Sequence, residues 1–179
     1  MIHQKFRELT LRSSKFTKIR EQLQLCGISK GTWIDAGCGR GTYTFPLATL
    51  ASLVIAIDNN PYNISFLKSQ LPTTNVIVLE RDFTRDQLYP NLVDGILFGF
   101  SLHYGPNPAK AIKNAFNHLR PSGEIIIFEY TRDKSLPWVP FPMPRRKLIL
   151  LLSRIGFKEI ETILHNSRFY IIRGKKIPP

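Results

Sequence analysis

Residues 35–41, Asp-Ala-Gly-Cys-Gly-Arg-Gly, constrain the fold of this chain more than any other segment. They follow the apolar run 32–34 and precede residues 42–50, whose pattern predicts a helix. A strand, a glycine turn and a helix start in that order bring bare backbone and free N–H groups to one place. The helix dipole adds a positive end there. The segment therefore predicts a site for a nucleotide-type cofactor at the end of a strand.

The spacing within this turn distinguishes between cofactors. The dinucleotide fingerprint is G-x-G-x-x-G/A, whereas Gly37, Gly39 and Gly41 fall as G-x-G-x-G and Thr42 takes the place of the third small residue. Asp35, two residues before the first glycine, would repel a pyrophosphate and suits a ligand that carries a cation, such as an amino group. The chain has no G-x-x-x-x-G-K-[ST] motif, so a P-loop is not supported.

With these residues the chain resembles the class I S-adenosylmethionine-dependent methyltransferases, whose motif D/E-x-G-x-G-x-G matches residues 35–41. A second apolar run, residues 53–57, ends in Asp58, where the family binds the ribose hydroxyls. A carboxylate can accept two hydrogen bonds from a diol. A third run, 76–79, is followed by Asp82 and Phe83, where the family places an acid near the adenine amino group and a side chain on its ring.

Two further segments extend the resemblance. Residues 94–104 look like the fourth strand and the loop after it, and residues 118–124 look like the family's L-R/K-P-G-G turn into strand five. Ser122 stands where that turn has its first glycine. The resemblance is close over residues 31–130. A glycine turn with an acid at the next strand end also fits dinucleotide enzymes, so a dinucleotide-dependent oxidoreductase stays as an outside alternative.

The alternation of strand and helix patterns predicts an α/β fold with parallel strands buried on both faces. The resemblance implies a doubly wound, Rossmann-like, mostly parallel seven-stranded sheet with an antiparallel C-terminal strand, in a single methyltransferase domain over residues 1–179. Predicted helices span 6–26, 42–50, 62–71, 108–119 and 145–155, the first forming a leading helical segment within residues 1–30. Predicted strands span 32–35, 53–58, 76–79, 95–98, 124–130, 157–164 and 168–173.

The resemblance also implies a binding site for S-adenosylmethionine, residue by residue. Nine residues are expected to contact this cofactor. Five surround its methionine part or its methyl group and four hold its ribose and adenine: Asp35, Gly37, Cys38, Gly39 and Phe98, then Asp58, Asn59, Asp82 and Phe83. No metal site is expected, because neither cysteine, Cys26 or Cys38, has metal-ligand spacing.

Candidate catalytic residues follow strand four. Methyl transfer needs a base only if the acceptor must lose a proton, and His103 could take one at neutral pH, with Tyr104 beside it. A cofactor-facing or structural histidine is the alternative interpretation. Glu129 and Tyr130 end strand five, where they either orient an acceptor or close the strand.

The segment 131–144 differs from the rest of the chain. Its four prolines exclude a helix and a central strand, so it is predicted to be a stiff extended loop. Trp138 and Phe141 lie between those prolines, where they could stack on a flat substrate or pack over the cofactor.

The charge is uneven along the chain. The total is +12, of which residues 1–30 carry +5, residues 31–131 carry −1 and residues 132–179 carry +8. Basic ends favour an anionic substrate and are compatible with RNA, but also with plain solubility. No apolar run is long enough for a membrane span, and the start is polar, so a cytoplasmic protein without membrane contact is expected.

The sequence therefore predicts an S-adenosylmethionine-dependent methyltransferase with an unidentified acceptor, favouring a small molecule. Two alternatives stay open: an RNA methyltransferase that uses the basic terminal segments, and a non-catalytic member that binds cofactor or a partner protein. The element N/D-P-P-Y/F, which marks methylators of adenine, cytosine and glutamine amino groups, is absent after strand four, where residues 101–104 read Ser-Leu-His-Tyr.

Overall fold

Helices cover both faces of a seven-stranded sheet in the computed structural model, which describes residues 13–28, 30–71 and 74–178. The helices are α1 (Ser14–Leu25), α2 (Thr44–Ala48), α3 (Pro61–Gln70), α4 (Pro108–His118) and α5 (Arg145–Ile155). The strands are β1 (Thr32–Ala36), β2 (Leu53–Asp58), β3 (Val76–Glu80), β4 (Val93–Gly99), β5 (Leu119–Tyr130), β6 (Lys158–His165) and β7 (Phe169–Lys175).

The strand order is β3-β2-β1-β4-β5-β7-β6. Neighbours from β3 to β5 are parallel, whereas β7 is antiparallel to both β5 and β6. This arrangement confirms the predicted fold class, including the reversed C-terminal strand. Strands β2 and β3 extend the sheet on one side of β1, whereas β4 and the later strands extend it on the other side. The carboxyl ends of β1 and β4 therefore form the switch point where such sheets bind ligands.

Each face of the sheet has its own hydrophobic core. On one face the fully buried Leu23, Leu47 and Leu67 of α1, α2 and α3 pack against the strands. On the other, Ile112 of α4 and Leu152 of α5 do the same. All of β2 except its first residue is buried, as expected for a parallel strand covered on both sides.

The helix bounds differ from prediction at the N-terminal side. Helix α1 begins after Ser13, whose hydroxyl accepts the Phe16 N–H at 3.1 Å. The earlier part of the predicted helix, residues 6–12, lies outside the described residues. Helix α2 is shorter than the predicted 42–50, because residues 41–43 still belong to the preceding turn. In this turn the Gly41 N–H donates to the Cys38 carbonyl at 2.9 Å.

Strand β5 begins earlier than predicted, at Leu119 instead of residue 124. Leu119 pairs with Val93 before the register shifts. Ser122, which replaces a glycine of the family turn, has a φ of 66°, and its N–H donates to the Lys176 carbonyl at 2.7 Å. The serine thus adopts the left-handed conformation that glycine adopts most readily.

The Lys176 side chain caps α4, and its removal is expected to destabilise the fold. Its Nζ donates to the carbonyl oxygens of Phe116 at 2.8 Å and Leu119 at 2.6 Å, and lies 4.8 Å from the centre of the Phe116 ring. Burial lowers the pKa of this ammonium. Lys176→Met should lower the free energy of unfolding by about 1–3 kcal/mol, since charged hydrogen bonds to orphan helix carbonyls are lost. Urea unfolding measures this loss.

The exposed Lys147 of α5 provides the matched control for this prediction. Lys147→Met removes the same charge from a solvated position and should change stability by less than about 0.5 kcal/mol. Equal losses in the two variants would show that the cap contributes nothing specific.

Candidate functional site

A cleft of about 580 Å³ opens at the carboxyl ends of β1, β2 and β4. Its position coincides with the switch point of the sheet, and its volume is typical of small-molecule sites. Seven of the residues predicted for the site line it: Gly37, Gly39, Asp58, Asn59, Asp82, Phe83 and Tyr104. Four lie behind its wall: Asp35, Cys38, Phe98 and His103.

The glycine turn between β1 and α2 forms one side of the cleft. Gly37 and Cys38 donate their N–H groups to the Ile57 carbonyl, each at 2.9 Å, which fixes the turn against β2. Gly37 has a φ of 77° and Gly39 a φ of 53°, so both adopt the left-handed conformation. A Cβ on Gly37 would lie 2.5 Å from the Cβ of Ser101, whereas a Cβ on Gly39 would meet nothing within 4 Å. Gly39 therefore leaves open space where a ligand can lie against the backbone.

The Asp58 carboxylate, at the end of β2, holds this turn in place. Its Oδ2 accepts the Gly39 N–H at 2.9 Å. Its Oδ1 accepts the Asn60 N–H at 2.9 Å and the Asn63 side-chain amide at 3.3 Å. Because each carboxylate oxygen accepts about two hydrogen bonds, Oδ2 keeps one position for a ligand hydroxyl. A second hydroxyl would take the place of the long Asn63 contact.

Asp82 and Phe83, which follow β3, form another part of the cleft wall. The Asp82 carboxylate accepts the Thr84 N–H at 2.8 Å and hydroxyl at 2.6 Å, and pairs with Arg85 Nε at 2.8 Å. Burial by itself would raise the pKa of Asp82, but the Thr84 hydrogen bonds and the Arg85 charge outweigh it and lower the pKa. Asp82 therefore presents an ionised acceptor at the edge of the cleft. The Phe83 ring packs edge-on against Phe98, with centroids 5.5 Å apart.

Asp35 is buried beneath the turn. Its Oδ2 accepts the Thr44 hydroxyl at 2.6 Å. Burial and, to a smaller extent, the negative charge of Asp58 raise the pKa of Asp35 to about 7, although the Thr44 hydrogen bond acts to lower it. Asp35 is therefore poised between its neutral and charged forms near neutral pH, where a nearby cation would favour the charged form.

Cys38 and Phe98 support the site from within the protein. Burial strongly raises the pKa of the Cys38 thiol, so this side chain is a neutral filler inside the turn. Phe98, predicted to lie beside the transferred methyl group, is fully buried and does not line the cleft. Its place is behind Phe83, which it holds against the cleft wall.

His103 and Glu129 form a buried pair beside Tyr104, which is a residue of the cleft. Glu129 Oε2 lies 2.9 Å from His103 Nδ1, and Oε1 lies 3.1 Å from the same atom. The Tyr104 side chain lines the cleft, is 62% exposed and has its ring centroid 4.3 Å from that of His103. His103 is thus in contact with a residue of the cleft but does not line the cleft itself.

Sequence reasoning missed several residues of the cleft. Ser101 follows β4 and donates its hydroxyl to the Ala36 carbonyl at 2.6 Å, which ties the end of β4 to the glycine turn. Its position directly after the fourth strand was a signal that could have identified it. The others, which the sequence analysis did not assign to the site, are Asn60, Asn63, Thr84, Arg85, Gly105 and Pro106.

The family assignment follows from comparison with known proteins. Residues 34–127 match a family model described as a methyltransferase domain. The chain belongs to this methyltransferase family. The match spans the glycine turn, Asp58, Asp82 and the His103 loop, so it confirms the resemblance seen in the sequence.

Several of the proteins found in these comparisons are named methyltransferases. An uncharacterized methyltransferase from Mycobacterium tuberculosis is 33% identical over 106 residues, which cover 59% of this chain and 42% of that protein. The ubiquinone biosynthesis O-methyltransferase of Rickettsia akari is 29% identical over 126 residues, which cover 63% of this chain and 50% of that protein. The chain therefore spans half or less of the length of these curated relatives. The structure of a SAM-dependent methyltransferase from Aquifex aeolicus superimposes with a TM-score of 0.76 at 21% identity, covering 89% of each chain.

Membrane-spanning helices and metal clusters are both absent from the described residues. Residues 13–28, 30–71 and 74–178 contain no helix long and apolar enough to cross a bilayer. In the same ranges, no three His, Cys, Asp or Glu side chains converge as metal ligands would.

Proposed function

We propose that this chain is an S-adenosylmethionine-dependent methyltransferase that acts on a small-molecule acceptor. The observation that carries the proposal is the open face of Gly39, whose N–H is bound by Asp58 at the rim of the cleft. A backbone without a Cβ beside a free carboxylate lone pair is what a nucleoside ligand requires.

The residues around the cleft fit this cofactor in the following way. Asp58 and Asn59 hold the ribose, and Asp82 with Phe83 flanks the adenine. Gly37 and Gly39 leave room for the methionine part, and Asp35 beneath them supplies negative charge toward its amino group. Cys38 and Phe98 shape the turn and the wall from behind. When bound, the cofactor supplies an electrophilic methyl group, so the protein's main task is to place the acceptor in line with it.

The acceptor side is assigned to His103 and Tyr104, which follow β4 at the same end of the sheet. A small molecule is favoured because the loop after β5 carries the exposed aromatic side chains of Trp138 and Phe141 and is attached to His103, whose carbonyl accepts the Phe141 N–H at 3.0 Å. The printed name of the Rickettsia relative, which refers to ubiquinone biosynthesis, agrees with a small-molecule acceptor.

RNA is the second candidate acceptor, and the structure explains part of the basic charge that suggested it. Arg173 pairs with Glu161 at 2.7 Å, Lys175 pairs with Glu159 at 2.7 Å, and Lys176 caps α4. These three cations serve contacts within the protein. An RNA enzyme would retain RNA with an affinity that falls steeply with salt concentration, whereas a small-molecule enzyme would not.

The test is calorimetric titration of S-adenosylhomocysteine into the wild type and Asp58→Asn. Asparagine keeps the size of the side chain but loses one acceptor oxygen and the charge. We expect the dissociation constant to rise about tenfold to a hundredfold, since a hydrogen bond to a charged group contributes about 1.5–3 kcal/mol. Asp133→Asn, at an exposed position in the loop after β5, is the matched control and should bind like the wild type.

The other outcomes separate the alternatives. Absence of binding to the wild type, with NAD bound instead, would support the oxidoreductase. Normal S-adenosylhomocysteine binding without turnover of any acceptor class would support the non-catalytic member. Equal binding by Asp58→Asn and wild type would remove Asp58 from the cofactor site.

A further inference from the structure

Two histidines of the described chain differ in how their ring nitrogens are used. His118 Nδ1 lies 2.9 Å from the Asn114 carbonyl oxygen, and its Nε2 accepts the Leu88 N–H at 3.2 Å. Both nitrogens of His118 are satisfied, as in a structural histidine. His103 is also buried, but its Nε2 has no hydrogen-bond partner among the residues that the structure describes. A buried nitrogen without a partner is uncommon in native proteins, so it points to a ligand.

The partner of the other nitrogen fixes the state of His103. Glu129 faces Nδ1 and is itself held by the backbone N–H groups of His103 and Tyr130, each at 3.3 Å from a carboxylate oxygen. A carboxylate at Nδ1 requires a proton there, so the neutral ring carries its lone pair on Nε2. The same carboxylate stabilises the imidazolium that forms when Nε2 takes a second proton.

The surroundings of His103 are aromatic. The Tyr104 ring lies over it, and the Tyr130 ring centroid is 5.4 Å away. The Phe141 N–H donates to the His103 carbonyl at 3.0 Å, which attaches the proline-rich loop to the histidine. Tyr104 also lines the cofactor cleft and is largely exposed, so a residue in contact with the His103 ring is part of the cleft. Aromatic rings around the histidine suit contact with a flat, aromatic acceptor.

We propose that the acceptor is a phenol and that His103 Nε2 takes the proton of its hydroxyl group. This inference rests on the proposed function. A phenol needs a base because its oxygen becomes a good nucleophile only on losing the proton, whereas a neutral amine attacks with the lone pair that it already has. The O–H bond breaks, its proton goes to Nε2, and the oxygen's electron pair forms the new bond to the methyl carbon. The bond between that carbon and sulfur breaks, and its electron pair stays on sulfur.

Glu129 is the positioning residue of this pair. It acts on the acceptor only through His103, by holding the ring in the tautomer with a free Nε2 and by balancing the charge of the imidazolium. Because Nε2 is buried, the proposal requires the Tyr104 side chain to move aside for the acceptor to reach this atom and for its proton to leave to solvent after transfer. The buried carboxylate therefore sets the pH at which the acceptor ionises.

The test uses 4-nitrophenol, whose phenolate is coloured, bound to the protein loaded with S-adenosylhomocysteine, so that no turnover is needed. At a pH where the free probe is mostly protonated, the wild type should hold it as phenolate. In His103→Asn the fraction of the bound probe that is phenolate should be lower by a factor of at least about ten. In Glu129→Gln, which can still accept from Nδ1, the pH of half-ionisation of the bound probe should rise. His118→Gln, the matched histidine, should behave like the wild type.

The outcomes distinguish this inference from the proposed function. Equal phenolate fractions in wild type and His103→Asn overturn it, and so does a wild type that binds S-adenosylhomocysteine but not the probe. An unchanged half-ionisation pH in Glu129→Gln overturns the positioning role. Failure of the wild type to bind S-adenosylhomocysteine defeats the proposed function instead. His103→Gln, which can still reach Glu129 through its amide, replaces His103→Asn if the latter does not fold.

Discussion

Asp35→Asn is expected to stabilise the protein at pH 8 and to weaken its affinity for the cofactor at the same time. The Asp35 carboxylate is completely buried beneath the glycine turn, with one hydrogen bond from Thr44. Burial raises its pKa to about 7, so keeping it charged costs free energy. Asparagine accepts the same Thr44 hydroxyl without carrying a charge.

The pH dependence of this effect has a definite sign. The Asp35 pKa in the folded protein, about 7, lies above the ordinary value of 3.8. Between these two values the unfolded chain loses the proton while the folded protein keeps it. The stability of the wild type therefore falls as the pH rises through this window, and the full cost is present above pH 7. Below the lower value both states are protonated and this group contributes nothing.

Urea unfolding of wild type and Asp35→Asn at several pH values measures the effect. At pH 8 the variant should be more stable by roughly 2–4 kcal/mol, since one unit of pKa corresponds to about 1.4 kcal/mol. At the acid end of the window the two proteins should converge. A variant that is less stable than the wild type at pH 8 would contradict the assignment.

The affinity should change in the opposite direction. A ligand with an amino group favours the charged carboxylate, so the wild type should bind S-adenosylhomocysteine more weakly as the pH falls below 7. For Asp35→Asn the dissociation constant at pH 8 should be at least about tenfold higher than for the wild type, and most of this pH dependence should be lost. Calorimetry in buffers of different ionisation enthalpy would detect the proton that the wild type releases on binding.

Two glycine-to-alanine substitutions in the same turn should differ in whether stability or cofactor affinity falls more. In Gly37→Ala the new methyl group would lie 2.5 Å from the Cβ of Ser101, which is fixed by its bond to the Ala36 carbonyl. Left-handed strain and overpacking together should lower the free energy of unfolding by about 2–5 kcal/mol. In Gly39→Ala the methyl group meets no protein atom, so only the strain of about 1–2 kcal/mol remains.

The affinity of the folded protein for the cofactor should instead be lowered more by Gly39→Ala than by Gly37→Ala. The methyl group of Gly39→Ala occupies the space proposed for the ligand, so affinity for S-adenosylhomocysteine should fall at least about tenfold in a folded protein. Urea unfolding and calorimetry on both variants separate the two effects. Wild-type affinity in Gly39→Ala would mean that the ligand does not lie against this turn.

Local pattern was sufficient for much of the fold. The glycine turn, the apolar run ending in Asp58 and the alternation of strands and helices predicted the sheet, because each signal lies within a few residues of the element that it specifies. Bounds were less accurate where a distant strand decides them. Strand β5 begins at Leu119 because Val93, 26 residues earlier, offers a pairing partner.

The candidate site was predictable as a set of positions and less so as a set of contacts. The ends of β1, β2 and β4 placed Gly39, Asp58 and Tyr104 at one edge. Which of two roles Glu129 plays depends on its pairing with His103, and this contact forms only when β5 docks beside β4. Burial of Asp35, likewise, is a property of the packed protein and not of its own motif.

The position of β7 has a consequence for how the molecule is assembled during synthesis. The strand lies between β5 and β6, although both precede it in the chain. Until residues 169–175 leave the ribosome, the outer edge of β5 is an unpaired row of N–H and C=O groups, and β6 has no strand to join. A nascent chain stopped at residue 168 therefore lacks two strands of the sheet and exposes an edge that could pair with a neighbouring chain.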